Sequence, residues 1–105
     1  MELEMEPTTG GLRVSGEMTV YSASTLKPVL LRELQVEREA LELDLSLVRE
    51  FDTAGLQLLL MLQREAATTA RKVRITACSN VVQGALELCR QAHFVSDPAV
   101  AGVPS

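Results

Sequence analysis

Residues 41–72 read LELDLSLVREFDTAGLQLLLMLQREAATTARK, and inside this stretch the spacing of the apolar residues changes. Leu41, Leu43 and Leu45 alternate with Glu42, Asp44 and Ser46, which is the period of a strand with one buried face. From Thr53 to Ala70 the period becomes helical. With about 100° per residue, Leu56, Leu58, Leu59, Leu60, Leu62, Ala66, Ala67 and Ala70 share one broad arc, and Gln57, Arg64, Thr68 and Arg71 share the opposite one. Met61 falls within that polar arc. VREFD, between the two patterns, reads as a loop. A strand that feeds straight into an amphipathic helix must lay that helix on a sheet, so the chain is committed to the α/β class.

The flanking segments extend this plan. Leu3 and Met5 alternate with glutamates as an edge strand, Thr8-Thr9-Gly10-Gly11 is a turn, and Leu12, Val14 and Gly16 form the second arm of a hairpin. GEMTVYSAST is a strand end that becomes a helix start. The first helix is expected from Ser24 or Thr25, with Pro28 in its first turn and Leu26, Val29, Leu30 and Leu34 on its buried side. Gln35–Glu39 is a charged connection. Residues 73–77, VRITA, form a β-branched strand. Asn80 caps a third helix whose stripe is Val82, Ala85, Leu86 and Cys89. The resulting order is β-β-α-β-α-β-α. It predicts a small mixed, largely parallel sheet with helices mainly on one face, in a single domain over residues 1–96 with a flexible tail over 97–105.

Composition narrows the function. The chain has 105 residues, too few for two comfortable domains, and aromatics make up only 3% with no Trp. Its formal net charge is −4, and no basic stripe is present to neutralise phosphates, so nucleic-acid binding is not expected. Cys78 and Cys89 form no CxxC pair and have no metal spacing with His93. They read as buried thiols in a reducing compartment, and no metal or cofactor is expected. No apolar run approaches the roughly 18 residues of a membrane span, and a cytoplasmic location is expected. Phosphate loops, dinucleotide fingerprints and nucleophile triads are missing, so catalysis is not expected.

The chemistry then concentrates at FDTAGL. Asp52 and Thr53 can both accept hydrogen bonds from the free N–H groups of the second helix, and Gly55 lets the helix approach the sheet closely. Thr53 has a second reading. A hydroxyl on a helix tip is accessible, and phosphate there would add about −1.5 to −2 charges. The helix N-terminus would tolerate that charge, Asp52 would resist it, and a partner covering the loop would lose affinity. Met61 reads either as an ordinary surface residue or, one turn beyond Gln57, as an adaptable contact on a protein-binding face.

These residues carry a family resemblance. GEMTVYSAS, LELDLSLVREFDTAGLQLLLML and VRITACSNVVQGALELC, together covering most of residues 3–94, resemble the STAS domains of anti-sigma factor antagonists. The most specific part is DTAGL, which is similar to the family's D-[ST]-[ST]-G-L turn. The resemblance implies phosphorylation of Thr53, with Ala54 leaving it as the single hydroxyl of the motif. It implies partner contacts through Asp52, Thr53, Ala54, Gly55 and the nearby Ser46, and through the loop carrying Thr19 and Tyr21. The implied partners are an anti-sigma factor or serine kinase, or a histidine-kinase-linked protein of chemotaxis or two-component type, together with a phosphatase. The alternative within the family is a cytosolic accessory subunit of a phospholipid-transport ABC complex, with Thr53 contacting the ATPase.

Overall fold

The alternating leucines become the middle of a sheet. The structure, a computed structural model, describes residues 2–88. Cys89, His93 and the tail expected over 97–105 lie outside the described residues, as does the domain boundary at residue 96. The elements are β1 (Leu3–Pro7), β2 (Gly11–Met18), α1 (Ala23–Leu34), β3 (Ala40–Phe51), α2 (Thr53–Thr68), β4 (Lys72–Cys78) and α3 (Asn80–Leu88). The sheet order is β1-β2-β3-β4. β1 runs antiparallel to β2, and β2, β3 and β4 are mutually parallel. Element order and fold class follow the sequence reading.

Leu12 and Val14 of β2, Leu41, Leu43 and Leu45 of β3, and Ile75 of β4 point into one apolar cluster. Leu26, Leu30 and Leu34 of α1, Leu58, Leu59 and Leu62 of α2, and Val82 and Leu86 of α3 close it from the helical side. Each fully buried leucine contributes roughly 1.5–3 kcal/mol relative to exposure. The other face of the sheet holds charges that pair across strands, Arg13 with Asp44 and Glu6, and Arg74 with Glu42.

Several boundaries differ from the expectation. β3 does not stop at Ser46; VREF is strand, through Phe51. Its register against β2 shifts between Arg13 and Ser15 and again between Gly16 and Glu17, leaving extra residues on β3. Ser46 and Leu47 are therefore both exposed, and Val48 turns back into the core. These bulges break the alternation that marks a strand. α1 starts at Ala23, with Ser22 at the cap position. Pro28 is thus the sixth helical residue, beyond the first turn, and it leaves the Ser24 carbonyl without its N–H partner; both residues are exposed, where water can satisfy that carbonyl. At α3 the capping hydroxyl is that of Ser79, which accepts the Val82 N–H at 3.4 Å, in place of Asn80.

α2 ends at Thr68, short of Ala70, and Ala67 and Ala70 are exposed. Arg71 N–H donates to the Ala66 carbonyl at 2.8 Å and Ala70 N–H to that of Ala67 at 3.4 Å. This is a Schellman ending, and its left-handed residue is Ala70, with φ 57°. An alanine there carries a steric cost that glycine avoids. Ala70→Gly is expected to raise the unfolding free energy by about 0.5–1 kcal/mol, measured by urea denaturation. An unchanged or lowered midpoint would show that Ala70 is not strained.

Candidate functional site

Parallel neighbours end on the same side of a sheet, so the loops after β2 and β3 lie together at one end of the molecule, where α/β sheets commonly bind. Asp52 ties them. As the cap of α2, its Oδ1 accepts the Ala54 N–H at 2.9 Å and the Gly55 N–H at 3.3 Å. Its Oδ2 accepts the Val20 N–H at 3.0 Å, across to the β2–α1 loop. The Asp52 N–H donates to the Met18 carbonyl at 3.3 Å. One side chain thus satisfies three backbone donors on two segments.

Gly55 is where the helix meets the sheet. A Cβ at this position would stand 2.4 Å from the Met18 carbonyl oxygen and 2.8 Å from the Phe51 ring. The close approach read from the sequence is present, and it keeps Gly55 buried. Thr53 is the first residue of α2 and is exposed. Its hydroxyl takes no part in a hydrogen bond among the described residues. The capping expected of Thr53 is done by Asp52 alone, because Asp52 occupies the position from which a carboxylate reaches the N–H groups two and three residues ahead.

The β2–α1 loop is braced from within. The Thr19 hydroxyl donates to Glu17 Oε1 at 2.8 Å and accepts the Tyr21 N–H at 3.2 Å. The Ser22 hydroxyl accepts the Thr19 N–H at 2.9 Å and donates to the Glu17 carbonyl at 3.0 Å. Glu17, Thr19 and Ser22 are buried. Thr19, expected at the binding surface, therefore works inward, and the loop presents Val20 and Tyr21 instead, at 64% and 77% exposure. The internal role of Ser22 and the display of Val20 were not read from the sequence; an apolar Val-Tyr pair just past a strand end was the available signal.

From this tip a groove of about 530 Å³ runs between α1 and α2, lined by Ala23, Lys27, Ala54, Gln57, Met61 and Arg64 among others. Met61 is neither free surface nor core. It is half-buried and packs against the apolar cluster from the groove side. Asp52, Thr53, Ala54, Gln57, Met61 and Tyr21 thus share one continuous region.

Ser46 does not join them. It lies on the open face of the sheet, roughly 20 Å along β3 from the tip at about 3.3 Å per residue. There it lines a groove of about 730 Å³ with Glu2, Glu4, Glu6 and Arg49. Its N–H and hydroxyl both donate to Asp44 Oδ1, at 2.9 and 2.6 Å. Partial burial pushes the Asp44 carboxyl up, but the Ser46 hydrogen bonds and the Arg13 guanidinium outweigh it and hold its pKa below the usual value. This arrangement braces the sheet at the bulge.

Similarities to known proteins bear on the family and the fold. The sequence matches the family described as "Mlab, STAS domain" over residues 1–96. No curated protein matches it. The structure is similar to that of the anti-sigma factor antagonist SpoIIAA in its unphosphorylated form, with a TM-score of 0.73 and 16% identity over 99% of this chain and 100% of that one. It is also similar to an anti-sigma factor antagonist from Mycobacterium paratuberculosis, with a TM-score of 0.71 and 19% identity over 90% of this chain and 82% of that one. At these identities the structural likeness is one of fold.

Neighbouring positions of the tip are expected to respond in opposite ways. Gly55→Ala should lower the unfolding free energy by about 2 kcal/mol or more, since the clash is with backbone. Thr53→Ala should stay within about 0.5 kcal/mol of wild type. Thermal and urea unfolding of both variants checks this. Equal stability of the two would mean that α2 is not seated on Met18.

Proposed function

The chain belongs to the STAS domain family, and from that membership we propose that it is a cytoplasmic protein-binding regulatory module of the anti-anti-sigma type, switched by phosphorylation of Thr53. Its partner on this reading is an anti-sigma factor or serine kinase, or a kinase-linked protein of two-component type, and a phosphatase resets it. The module acts by binding and carries out no catalysis of its own.

One observation carries the proposal: the Thr53 hydroxyl is exposed and makes no bond among the described residues, on a tip that also exposes Val20 and Tyr21. Such a surface suits an interface, because aromatic and apolar residues gain most from being covered. Two of the backbone donors that could have absorbed a phosphate are already engaged. Ala54 and Gly55 donate to Asp52. A phosphate on Thr53 would meet the Asp52 charge instead of a vacant helix end, and would project outward. The fold has no stake in the Thr53 hydroxyl, so modification would leave the domain intact while a covering partner would have to desolvate about −1.5 to −2 added charges. No helix among the described residues is long and apolar enough to cross a membrane.

The test is affinity capture from native lysate with wild type, Thr53→Ala, Thr53→Glu and Met61→Glu, with mass spectrometry of the partners and of Thr53. A kinase-type partner should be held by wild type and Thr53→Ala, lost with Thr53→Glu and weakened with Met61→Glu, and phosphate should be found on Thr53. Retention of that partner by Thr53→Glu would sink the switch. Capture of an ABC ATPase with Thr53 unmodified would assign the tip to a constitutive transporter subunit.

A further inference from the structure

Lys27 of α1 and Arg64 of α2 line the same groove, and no carboxylate among the described residues does. Both side chains are exposed, and neither belongs to an ion pair among the described residues. Of the other described cations, Arg13, Arg38, Arg49, Arg71 and Arg74 are each matched to a glutamate or aspartate, and Arg32 and Lys72, also unmatched, do not line this groove. In a chain of net charge −4, two unmatched cations lining one groove favour an anionic ligand there. The groove also offers apolar surface. Leu60 and Met61 line it half-buried, beside Ala54.

The dimensions suit a helix. Ala54, Gln57, Met61 and Arg64 recur at helical spacing along one stripe of α2. Ten residues at about 1.5 Å each make a track of about 15 Å, or roughly three turns of a partner helix laid alongside. An amphipathic helix in a groove reads as apolar anchors at i, i+3, i+4 and i+7 with charges at its flanks, and here the matching charges are negative.

We propose that the groove between α1 and α2 binds an acidic amphipathic helix of a partner protein, with its apolar residues on Leu60 and Met61 and its carboxylates on Lys27 and Arg64. This rests on the assignment of the Thr53 tip as a docking surface, because Ala54 belongs to both. It also gives the modification at Thr53 its direction. Thr53 precedes Ala54 at the mouth of the groove, so phosphate there faces an acidic ligand. Repulsion then adds to the cost of covering the phosphate for ligand carboxylates within the roughly 8 Å over which physiological salt leaves charges unscreened, and those seated on Arg64, about 15 Å along α2, lie outside that range.

The probe is a fluorescein-labelled designed helix of about 16 residues, with leucines at the heptad-type positions and glutamates beside them, and a twin carrying lysine for each glutamate. Fluorescence anisotropy follows both peptides against the full chain, its Lys27→Glu/Arg64→Glu variant and Thr53→Glu. The acidic peptide should bind the wild type at least about tenfold more tightly than its basic twin, and the double variant should invert that order. Both substituted residues are exposed, so the variant should unfold at the wild-type temperature. Amide chemical shifts should change along α1 and α2. Equal binding of the two peptides, binding of neither, or shifts confined to the open sheet face would overturn the proposal. If the acidic peptide occupies the groove and Thr53→Glu does not weaken it, the groove stands and the phosphorylation switch falls. Binding that ignores charge removes the acidic helix and leaves the switch to be judged by its own partner.

Discussion

The carboxylate of Asp52 fixes the relation between two loops that the sheet merely brings near each other. Its Oδ1 holds the first turn of α2 through Ala54 and Gly55, and its Oδ2 holds Val20 in the loop before α1. A cap of this kind is worth about 1–2 kcal/mol to the helix alone. The bond to Val20 gives it a second task. Because Val20 is fixed relative to α2, the neighbouring Tyr21 and Thr53 are presented on one surface. Gly55 permits the seat, since any side chain there would strike the Met18 carbonyl. Beneath the loop, Glu17, Thr19 and Ser22 form a buried set of hydrogen bonds that leaves the outer residues free.

This division of labour explains how a surface can be switched without harm to the domain. Groups that hold the tip together are buried or saturated. The group that could receive phosphate is neither. Asp52 contributes again, because its carboxylate already occupies the Ala54 and Gly55 donors that a second anion at the helix N-terminus would use. A charge added at Thr53 would act outward, beside Val20, Tyr21 and the groove between α1 and α2.

Much of the fold was legible because periodicity and order agree. LELDLS and VRITA alternate, the three helices show their stripes, and strand-helix alternation implies parallel neighbours, which the sheet displays. What was hidden has local causes. VREF was unreadable as strand because two register shifts put Ser46 and Leu47 outward together and brought Val48 in. Pro28 pointed to a later helix start than the one observed, since its cost falls on an exposed turn that tolerates it. At the site, DTAGL pointed to the turn that holds Asp52, Thr53 and Gly55 at the start of α2. It could not apportion the work between them, because capping by Asp52 and exposure of Thr53 depend on which residue leads the helix by one position. Ser46 lay close to the motif in sequence, but an extended strand carries residues apart fastest, and it belongs to the opposite face. Thr19 seemed exposed by its place in a loop, yet the adjacent Glu17 draws its hydroxyl inward.

One carboxylate assembles the tip from two segments, and amide hydrogen exchange by NMR in wild type and Asp52→Ala tests this. Val20, Ala54 and Gly55 should lose protection together in the variant, while Thr19, held by Ser22, keeps its own. Loss at Ala54 and Gly55 with Val20 unchanged would contradict it, since Asp52 would then be an ordinary helix cap and the two loops would be positioned by something else.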